Sequence, residues 1–243
     1  MSNTAKPTVE NYSDLQQAYD FFNKRLFSGS LPECLITLQR EKSTMGYFSA
    51  ARFYHVVSGV KTDEIALNPS YFSCHPPVEI FQTLVHEMAH LWQHHHGDPG
   101  RGRYHNKEWA DMMESIGLMP SSTGKPGGDR TGDRISDYPI EGGLFLQAYN
   151  ELVTDEFMIR WYDRFPARDH FNAAVESGEF YGDIADLVEA GIVVQEDTGA
   201  LAITQNKTNR VKYTCRSCES NVWGKPLLNV ICGDCNVSYE PNE

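Results

Sequence analysis

The stretch that decides the fold is VEIFQTLVHEMAHLWQHH, residues 78–95, with the pentapeptide His86-Glu87-Met88-Ala89-His90 at its centre. The stretch contains neither proline nor glycine, whereas Pro76-Pro77 precedes it and Gly97 follows it, so it predicts a single helix. At the helical period one stripe is apolar and suited to a core, and its members are Phe81, Leu84, Val85, Met88 and Trp92. His86 and His90 lie one above the other on a different face.

Two histidines spaced four residues apart, with a glutamate between them, have a specific chemical use. Their imidazole nitrogens can bind one zinc ion, and Glu87 can take a proton from a water molecule that the metal activates. The alternative is a surface helix that carries its histidines by chance, which the separate apolar stripe disfavours. The pattern therefore predicts a catalytic zinc held by His86 and His90, with Glu87 as the base.

A catalytic zinc needs a third protein ligand, and the nearby side chains able to serve are His94, His95, His96, His105, Glu108 and Asp111. His94 stands two helical turns from His86, about 12 Å along the axis, which is too far to share one ion. His96 would need a chain reversal at Gln93, where a left-handed backbone is costly. The helix-end histidines are therefore expected to be solvated, near a helix C-terminus that favours imidazolium.

His105 is the better third ligand. It follows a loop rich in glycine and arginine, residues 97–104, that can reverse the chain. It also precedes a second helix, predicted over residues 107–116, with Asn106 as its N-cap and Gly117 as its stop. This arrangement can return His105 to the ligand face of the first helix.

Three segments around these residues resemble the SprT-like family, the bacterial and phage relatives of the Spartan protease. They are HEMAHLWQ (86–93), RYHNKEWADMMESIGL (103–118) and the glycine-rich SSTGKPGGDRTGD (121–133). The resemblance covers roughly residues 12–140 and the C-terminal tail. It implies a zinc endopeptidase with His86, His90 and His105 as ligands and Glu87 as base. It also implies that the substrates are proteins bound or crosslinked to DNA, with DNA as activator.

A second metal site is predicted near the C-terminus from two CxxC pairs separated by 13 residues, namely Cys215, Cys218, Cys232 and Cys235. Four thiolates close a tetrahedral structural zinc site, and the strand-like runs between the pairs suggest a zinc ribbon. Disulfides are the first alternative, but no signal peptide is recognisable. Redox dithiols are the second, but they usually accompany a βαβ pattern that this tail lacks.

The formal net charge of −12 is unevenly distributed. Residues 141–200 carry −10, so the parts around the two predicted metal sites are near neutral. Because DNA binding rests on neutralising phosphates, the overall charge argues against tight constitutive DNA binding. Local groups could still contact single-stranded DNA, and the candidates are Arg101, Arg103, Lys212, Arg216, Trp223 and Lys225. Tyr213 and Trp223 are possible stacking surfaces, although Trp223 could equally fill the core of the ribbon.

The chain is expected to be α+β, with three parts. Residues 1–140 form a zincin-type peptidase domain, in which helices pack on a small sheet from segments near 34–40, 46–57 and 64–67. Residues 141–205 form an acidic, mainly helical insert, with helices near 142–152, 169–175 and 183–190. Its charge is interpreted as a solvated face or, alternatively, as a cover for a basic cleft. Residues 206–243 form the β-rich zinc ribbon.

The leading interpretation is a zinc-dependent endopeptidase with one catalytic and one structural Zn²⁺. Protein substrates and single-stranded DNA are the expected partners, and Tyr104 or Tyr138 is a candidate to stabilise the oxyanion. No apolar run approaches the roughly 18 residues of a membrane span, so a cytoplasmic protein without a membrane partner is expected. Two alternatives stay open. One is a non-catalytic DNA- or protein-binding module that uses the ribbon, and the other is a zinc hydrolase acting on something other than protein.

Overall fold

The computed structural model describes residues 6–154, 157–195, 201–203 and 211–241. The chain divides into two compact units between Asp183 and Ile184. Both units combine helices with small sheets, so the α+β expectation is confirmed. The division into three parts stays a prediction, and its boundary between residues 205 and 206 lies outside the described residues.

The first unit is built on a three-stranded sheet in the order β1-β3-β2. Its strands are β1 (Leu35–Leu38), β2 (Gly46–Tyr54) and β3 (Lys61–Leu67), close to the predicted segments. β1 is parallel to β3, and β2 is antiparallel to it. Residues 63–67 of β3 are all buried, as expected of a central strand covered on both faces.

The helices of the first unit are α1 (Pro7–Leu26), α2 (Pro77–His96), α3 (Lys107–Ser115), α4 (Leu144–Leu152) and α5 (Arg168–Ser177), and the first four pack around one apolar core. α2 coincides with the predicted metal helix, and its predicted apolar stripe enters the core, with Trp92 partly buried at the edge. α4 packs in the same core through Phe145, Ala148 and Leu152. This part of the predicted insert therefore shares the core of the metal helix.

The edge strand β2 is irregular in its middle. Its pairing with β3 shifts register between Ser49 and Phe53, and Ala51 adopts a positive φ of 49°. The Ala51 N–H is bonded to Oδ1 of Asp63 at 2.6 Å instead of joining a regular ladder. Such a bulge bends a strand and increases its twist, and bulges are common beside functional sites.

A two-stranded antiparallel sheet, β4 (Leu118–Ser121) with β5 (Ser136–Pro139), joins the ends of the glycine-rich segment. The loop between these strands is anchored to α3 by Arg130, whose guanidinium bonds both Asp111 and Glu114. On the other side, Nε2 of Gln82 in α2 donates to the backbone oxygen of Asp137 at 2.8 Å. The loop is thus held against α3 and β5 against α2.

The second unit contains a short helix, a two-stranded sheet and the predicted ribbon. Its elements are α6 (Ile184–Glu189), β6 (Val193–Gln195), β7 (Leu201–Ile203), β8 (Val211–Cys215), β9 (Asn221–Gly224) and β10 (Tyr239–Pro241). The last three strands form an antiparallel sheet in the order β10-β8-β9. Across the described parts of both units, no helix combines the length and apolarity needed to cross a membrane.

Candidate functional site

The three histidines singled out in the sequence come together. One nitrogen of each of His86, His90 and His105 lies within 4.8 Å of the others. The Nε2 atoms of His90 and His105 are 3.1 Å apart. His86 and His90 share one face of α2, with ring centroids 5.1 Å apart, as their spacing of four residues requires. His105 reaches that face from the loop before α3.

The local sequence explains how His105 is positioned. Asn106 caps α3, because its side-chain oxygen accepts the N–H of Trp109 at 3.1 Å, as predicted. His105 also forms an isolated bridge with Gly132, through N–H to O bonds of 2.8 and 3.1 Å. Gly132 has a φ of 151°, a conformation that L side chains rarely adopt. The glycine-rich segment therefore serves to hold the third histidine in place.

Trp109 packs among all three imidazoles. Its ring centroid lies 4.9 Å from that of His86, 5.2 Å from that of His90 and 4.4 Å from that of His105. The indole is fully buried and lies nearly parallel to the His90 ring, with an interplanar angle of 19°. The packing restricts the rotamers of the three side chains and holds α3 against α2.

Acceptors behind two of the histidines fix their tautomers. Nδ1 of His86 lies 2.8 Å from Oδ2 of buried Asp137, and Nδ1 of His105 lies 3.1 Å from the backbone oxygen of Gly132. Because each Nδ1 then carries the proton, each Nε2 has a free lone pair. Sequence reasoning missed Asp137. The only signal was an aspartate beside Tyr138 at the end of the glycine-rich segment.

The protonation of the histidines suits metal binding. Burial lowers the pKa of His90 well below its usual value and that of His105 to about 4, and the charge of His86 lowers both further. Burial would also lower the pKa of His86, but Asp137 and Glu87 raise it overall. His90 and His105 are therefore neutral at physiological pH, and His86 is the one whose proton competes with a metal.

Glu87 lies beside the histidines with only 7 % of its surface exposed. Burial raises the pKa of its carboxyl group to about 7, assisted by the charge of Asp137, while His86 and the N–H of Phe48 oppose the rise. Phe48 belongs to the edge strand β2, so this hydrogen bond brings the free edge of the sheet to the carboxylate. A carboxyl group with a pKa near neutrality can both take up and release a proton.

The donor set fits zinc. Three neutral imidazoles with oriented Nε2 atoms are the protein ligands of many catalytic zinc sites, which leave a fourth position for water or substrate. With Zn–N bonds of about 2.0–2.1 Å, the ligand atoms of a tetrahedral site are about 3.3 Å apart. The 3.1 Å between the Nε2 atoms of His90 and His105 is close to that value.

The four ribbon cysteines also converge, with their sulfur atoms within 4.8 Å of one another and Cys218 Sγ 3.7 Å from Cys232 Sγ. Zn–S bonds of about 2.3 Å place tetrahedral sulfur ligands about 3.8 Å apart. The N–H groups of Asp234 and Cys235 lower the pKa of Cys232 to about 6, which favours the thiolate. The cysteines are free, so the cluster fits a zinc ribbon.

Both CxxC turns of the ribbon have the same hydrogen bonds. The first cysteine accepts the N–H of the residue four positions later, Glu219 or Asn236, at 2.8 Å. It also donates its own N–H to the residue five positions later, at 2.9 and 2.8 Å. Glu219 and Asn236 both adopt a positive φ, which completes each turn. The repeated geometry gives both cysteine pairs the same turn, so the four sulfur atoms can converge on one point.

The predicted DNA contacts are all exposed, and they are Arg101, Arg103, Lys212, Arg216, Trp223 and Lys225. Trp223 is 60 % exposed and pairs in register with Lys212 across β8 and β9, so the alternative that it fills the ribbon core is wrong. Tyr213 fills that core instead and donates its hydroxyl to the Lys225 backbone oxygen, so it offers no stacking surface. Arg216 is paired with Glu240 at 2.5 Å.

The remaining candidates for the third ligand lie elsewhere. His94, His95 and His96 are exposed at the end of α2, as predicted. Glu108 instead accepts the N–H of Asp98 and the side-chain N–H of Gln93. Tyr104 is half-exposed beside His105 and Tyr138 is half-buried beside Asp137, and a role for either at an oxyanion stays a prediction.

Comparison with known proteins agrees with this geometry. The SprT-like family model matches residues 15–126, a range that includes the three histidines and Glu87. Residues 15–126 are a SprT-like family domain. It is also 63 % identical over 59 residues to an uncharacterized protein in the mucB 3' region of Salmonella typhimurium, a match that covers 24 % of this chain and 80 % of that relative. No solved structure matches the chain.

Proposed function

We propose that this protein is a zinc-dependent endopeptidase with a zincin-type catalytic domain. The observation that carries the proposal is the convergence of the His86, His90 and His105 donors beside a buried glutamate with a pKa near neutrality. A site that only held structural zinc would need a fourth protein ligand and no such base. The SprT-like family domain supports a metalloprotease-like or DNA-associated function.

The chemistry divides between a bound metal and the side chains. Bound to the three Nε2 atoms, a zinc ion would supply a Lewis acid for a water molecule and the scissile carbonyl. Asp137 and the Gly132 oxygen hold the Nδ1 protons of His86 and His105 and thereby aim both rings. Glu87 accepts the proton of the attacking water and passes it to the departing amine.

The position of β2 supports a peptide as substrate. β2 is an edge strand of the sheet, and its residue Phe48 bonds to Glu87. An extended peptide can add to such an edge through main-chain hydrogen bonds, which are independent of side-chain sequence. A substrate bound in this way would lie beside the catalytic carboxylate. It would be selected by its extended conformation more than by its sequence.

We further propose that the substrates are DNA-bound or DNA-crosslinked proteins and that single-stranded DNA activates cleavage. The pairing of exposed Trp223 with Lys212 supports a surface on which a base can stack beside a phosphate-binding cation. The net charge of −12 predicts weak, salt-sensitive binding to DNA rather than tight constitutive binding.

The test is a cleavage assay on a DNA-binding protein, run with and without single-stranded DNA. Wild type is expected to produce fragments, and DNA is expected to increase the rate. Trp223→Ala is expected to lose the stimulation by DNA while keeping the basal rate, because Trp223 lies in the other unit. Cleavage that is indifferent to DNA would remove the DNA part of the proposal and leave the peptidase part intact.

A non-catalytic binding module is the second candidate, and the exposed Trp223 favours it as much as it favours a DNA-activated enzyme. In that case the ribbon would bind DNA or protein, and the histidine cluster would be a scaffold. The two candidates differ in turnover. Single-stranded DNA binding without cleavage of any protein substrate by the zinc-loaded chain would favour the module.

A further inference from the structure

A second cluster of potential metal ligands lies at the C-terminal end of α2. One donor atom from each of Asp63, His94 and His95 lies within 4.8 Å of the other two. Nε2 of His95 is 2.7 Å from Oδ2 of Asp63. None of the three belongs to the His86, His90 and His105 cluster, and neither the proposed peptidase function nor the ribbon uses them.

The cluster depends on contacts that sequence spacing alone does not produce. Consecutive helical residues point about 100° apart and do not ordinarily face each other. Here the rings of His94 and His95 are 4.9 Å apart and nearly perpendicular, and both lie near the Asp63 carboxylate. Because α2 ends against the sheet at β3, two adjacent histidines converge on one acidic group.

Asp63 is a buried acceptor with two hydrogen-bond partners. It is 93 % buried, and Oδ1 accepts the N–H of Ala51 at 2.6 Å, so Oδ2 is the oxygen that faces the histidines. Burial would raise the pKa of this carboxyl group, but the Ala51 N–H and His95 lower it overall, so it is ionised at neutral pH. Ala51, which donates this bond, has a positive φ and lies within the bulge of β2.

We infer that Asp63, His94 and His95 form a further site for a divalent transition-metal ion. Two imidazoles and one carboxylate suit first-row transition-metal ions such as Zn²⁺, Co²⁺ or Ni²⁺. Cations that prefer oxygen ligands, such as Ca²⁺, would not be favoured. The exposure of His94 and His95 leaves the other coordination positions to water. The site therefore resembles an exchangeable surface site more than a closed structural one.

The location gives such a site a mechanical consequence. A bound ion would join the end of α2, which carries His86 and His90, to Asp63 of β3, whose other carboxylate oxygen accepts the N–H of Ala51 in the bulge of β2. The same strand presents Phe48, which packs 5.8 Å from the His94 ring and donates its N–H to Glu87. Occupancy of the site would therefore restrain the strand that borders the proposed catalytic carboxylate.

The experiment is a calorimetric titration of the full-length, zinc-loaded protein with further Zn²⁺. The variant is His94→Ala/His95→Ala, which changes only exposed side chains and is therefore expected to fold. His96→Ala is the matched control, because His96 is an exposed neighbour whose Nε2 contacts the Ser30 oxygen and not Asp63. Wild type and the control are expected to bind one more equivalent of Zn²⁺ than the double variant.

Comparing variants makes the result independent of the proposed peptidase, because the catalytic and ribbon ligands are unchanged in all three proteins. Two outcomes would overturn the inference. The first is that wild type and the double variant bind the same number of equivalents. The second is that His96→Ala removes the extra equivalent as well, which would indicate a non-specific histidine run. Asp63→Asn provides a further check, since it should lower the affinity for the extra Zn²⁺ while leaving both histidines in place.

Discussion

Replacing Asp137 by alanine should weaken zinc binding at the histidine cluster without touching a proposed ligand. Oδ2 of Asp137 accepts the Nδ1 proton of His86 at 2.8 Å, and its side chain is only 4 % exposed. Removing such an outer partner typically costs about 10–100-fold in metal affinity, or about 1.4–2.7 kcal/mol. Because this bond is buried and charged, we expect a value toward the upper end of that range at pH 8.

The sign of the pH dependence provides a second check. Asp137 raises the pKa of His86, and a protonated His86 cannot bind the metal. As the pH falls, wild type therefore begins to lose zinc affinity at a higher pH than Asp137→Ala, in which the pKa of His86 is lower. The ratio of the two zinc affinities should shrink as the pH falls from 8 to 6.

Competition with a chromophoric chelator measures the affinity at both pH values. Asp137→Asn should fall between wild type and the alanine variant, because its amide oxygen still accepts the proton but carries no charge. Asp129→Ala is the control, since Asp129 is an exposed aspartate of the same glycine-rich segment. Equal affinity of wild type and Asp137→Ala at pH 8 would refute the positioning role.

Three further predictions concern other parts of the protein. Gly132→Val should lower zinc affinity at least about tenfold, because a φ of 151° is strained for valine and the same residue holds His105; metal analysis after dialysis checks this. In metal-free protein, the low pKa of His105 means that the folded state is stabilised relative to the unfolded state by up to about 3 kcal/mol; this contribution is complete above pH 6.5 and is lost toward pH 4. Urea unfolding at pH 7.5 and pH 5 should therefore show a larger fall in the free energy of unfolding for wild type than for His105→Gln. Cys232→Ser should release one zinc equivalent and unfold the ribbon while the first unit keeps its unfolding transition, as hydrogen exchange would report.

The local features of this chain were predictable from sequence because they depend on neighbours along the helix or strand. The bounds of α2, the Asn106 cap and the convergence of His86 and His90 follow from helical spacing and end signals. Even His105 could be inferred, because only a short loop separates it from α2. The ribbon cysteines were predictable from the sequence for the same reason, since each pair lies within one tight turn.

The features that sequence reasoning missed are contacts between distant segments. Asp137 reaches His86 across 51 positions, and Asp63 reaches His95 across 32. Nothing in the spacing of an aspartate shows which histidine it will face once strands and helices have packed. The exchange of roles between Tyr213 and Trp223 has a similar origin, because strand alternation decides which ring is buried only after the register is fixed.

The most direct test of the central proposal compares wild type with Glu87→Gln, both loaded with zinc and assayed on the same protein substrate. Glutamine keeps the shape of the side chain and can still accept the Phe48 N–H, but it cannot take up a proton. The proposal predicts equal zinc content in the two proteins and cleavage by wild type alone. Equal cleavage by both proteins, or none by wild type with its zinc bound, would contradict it.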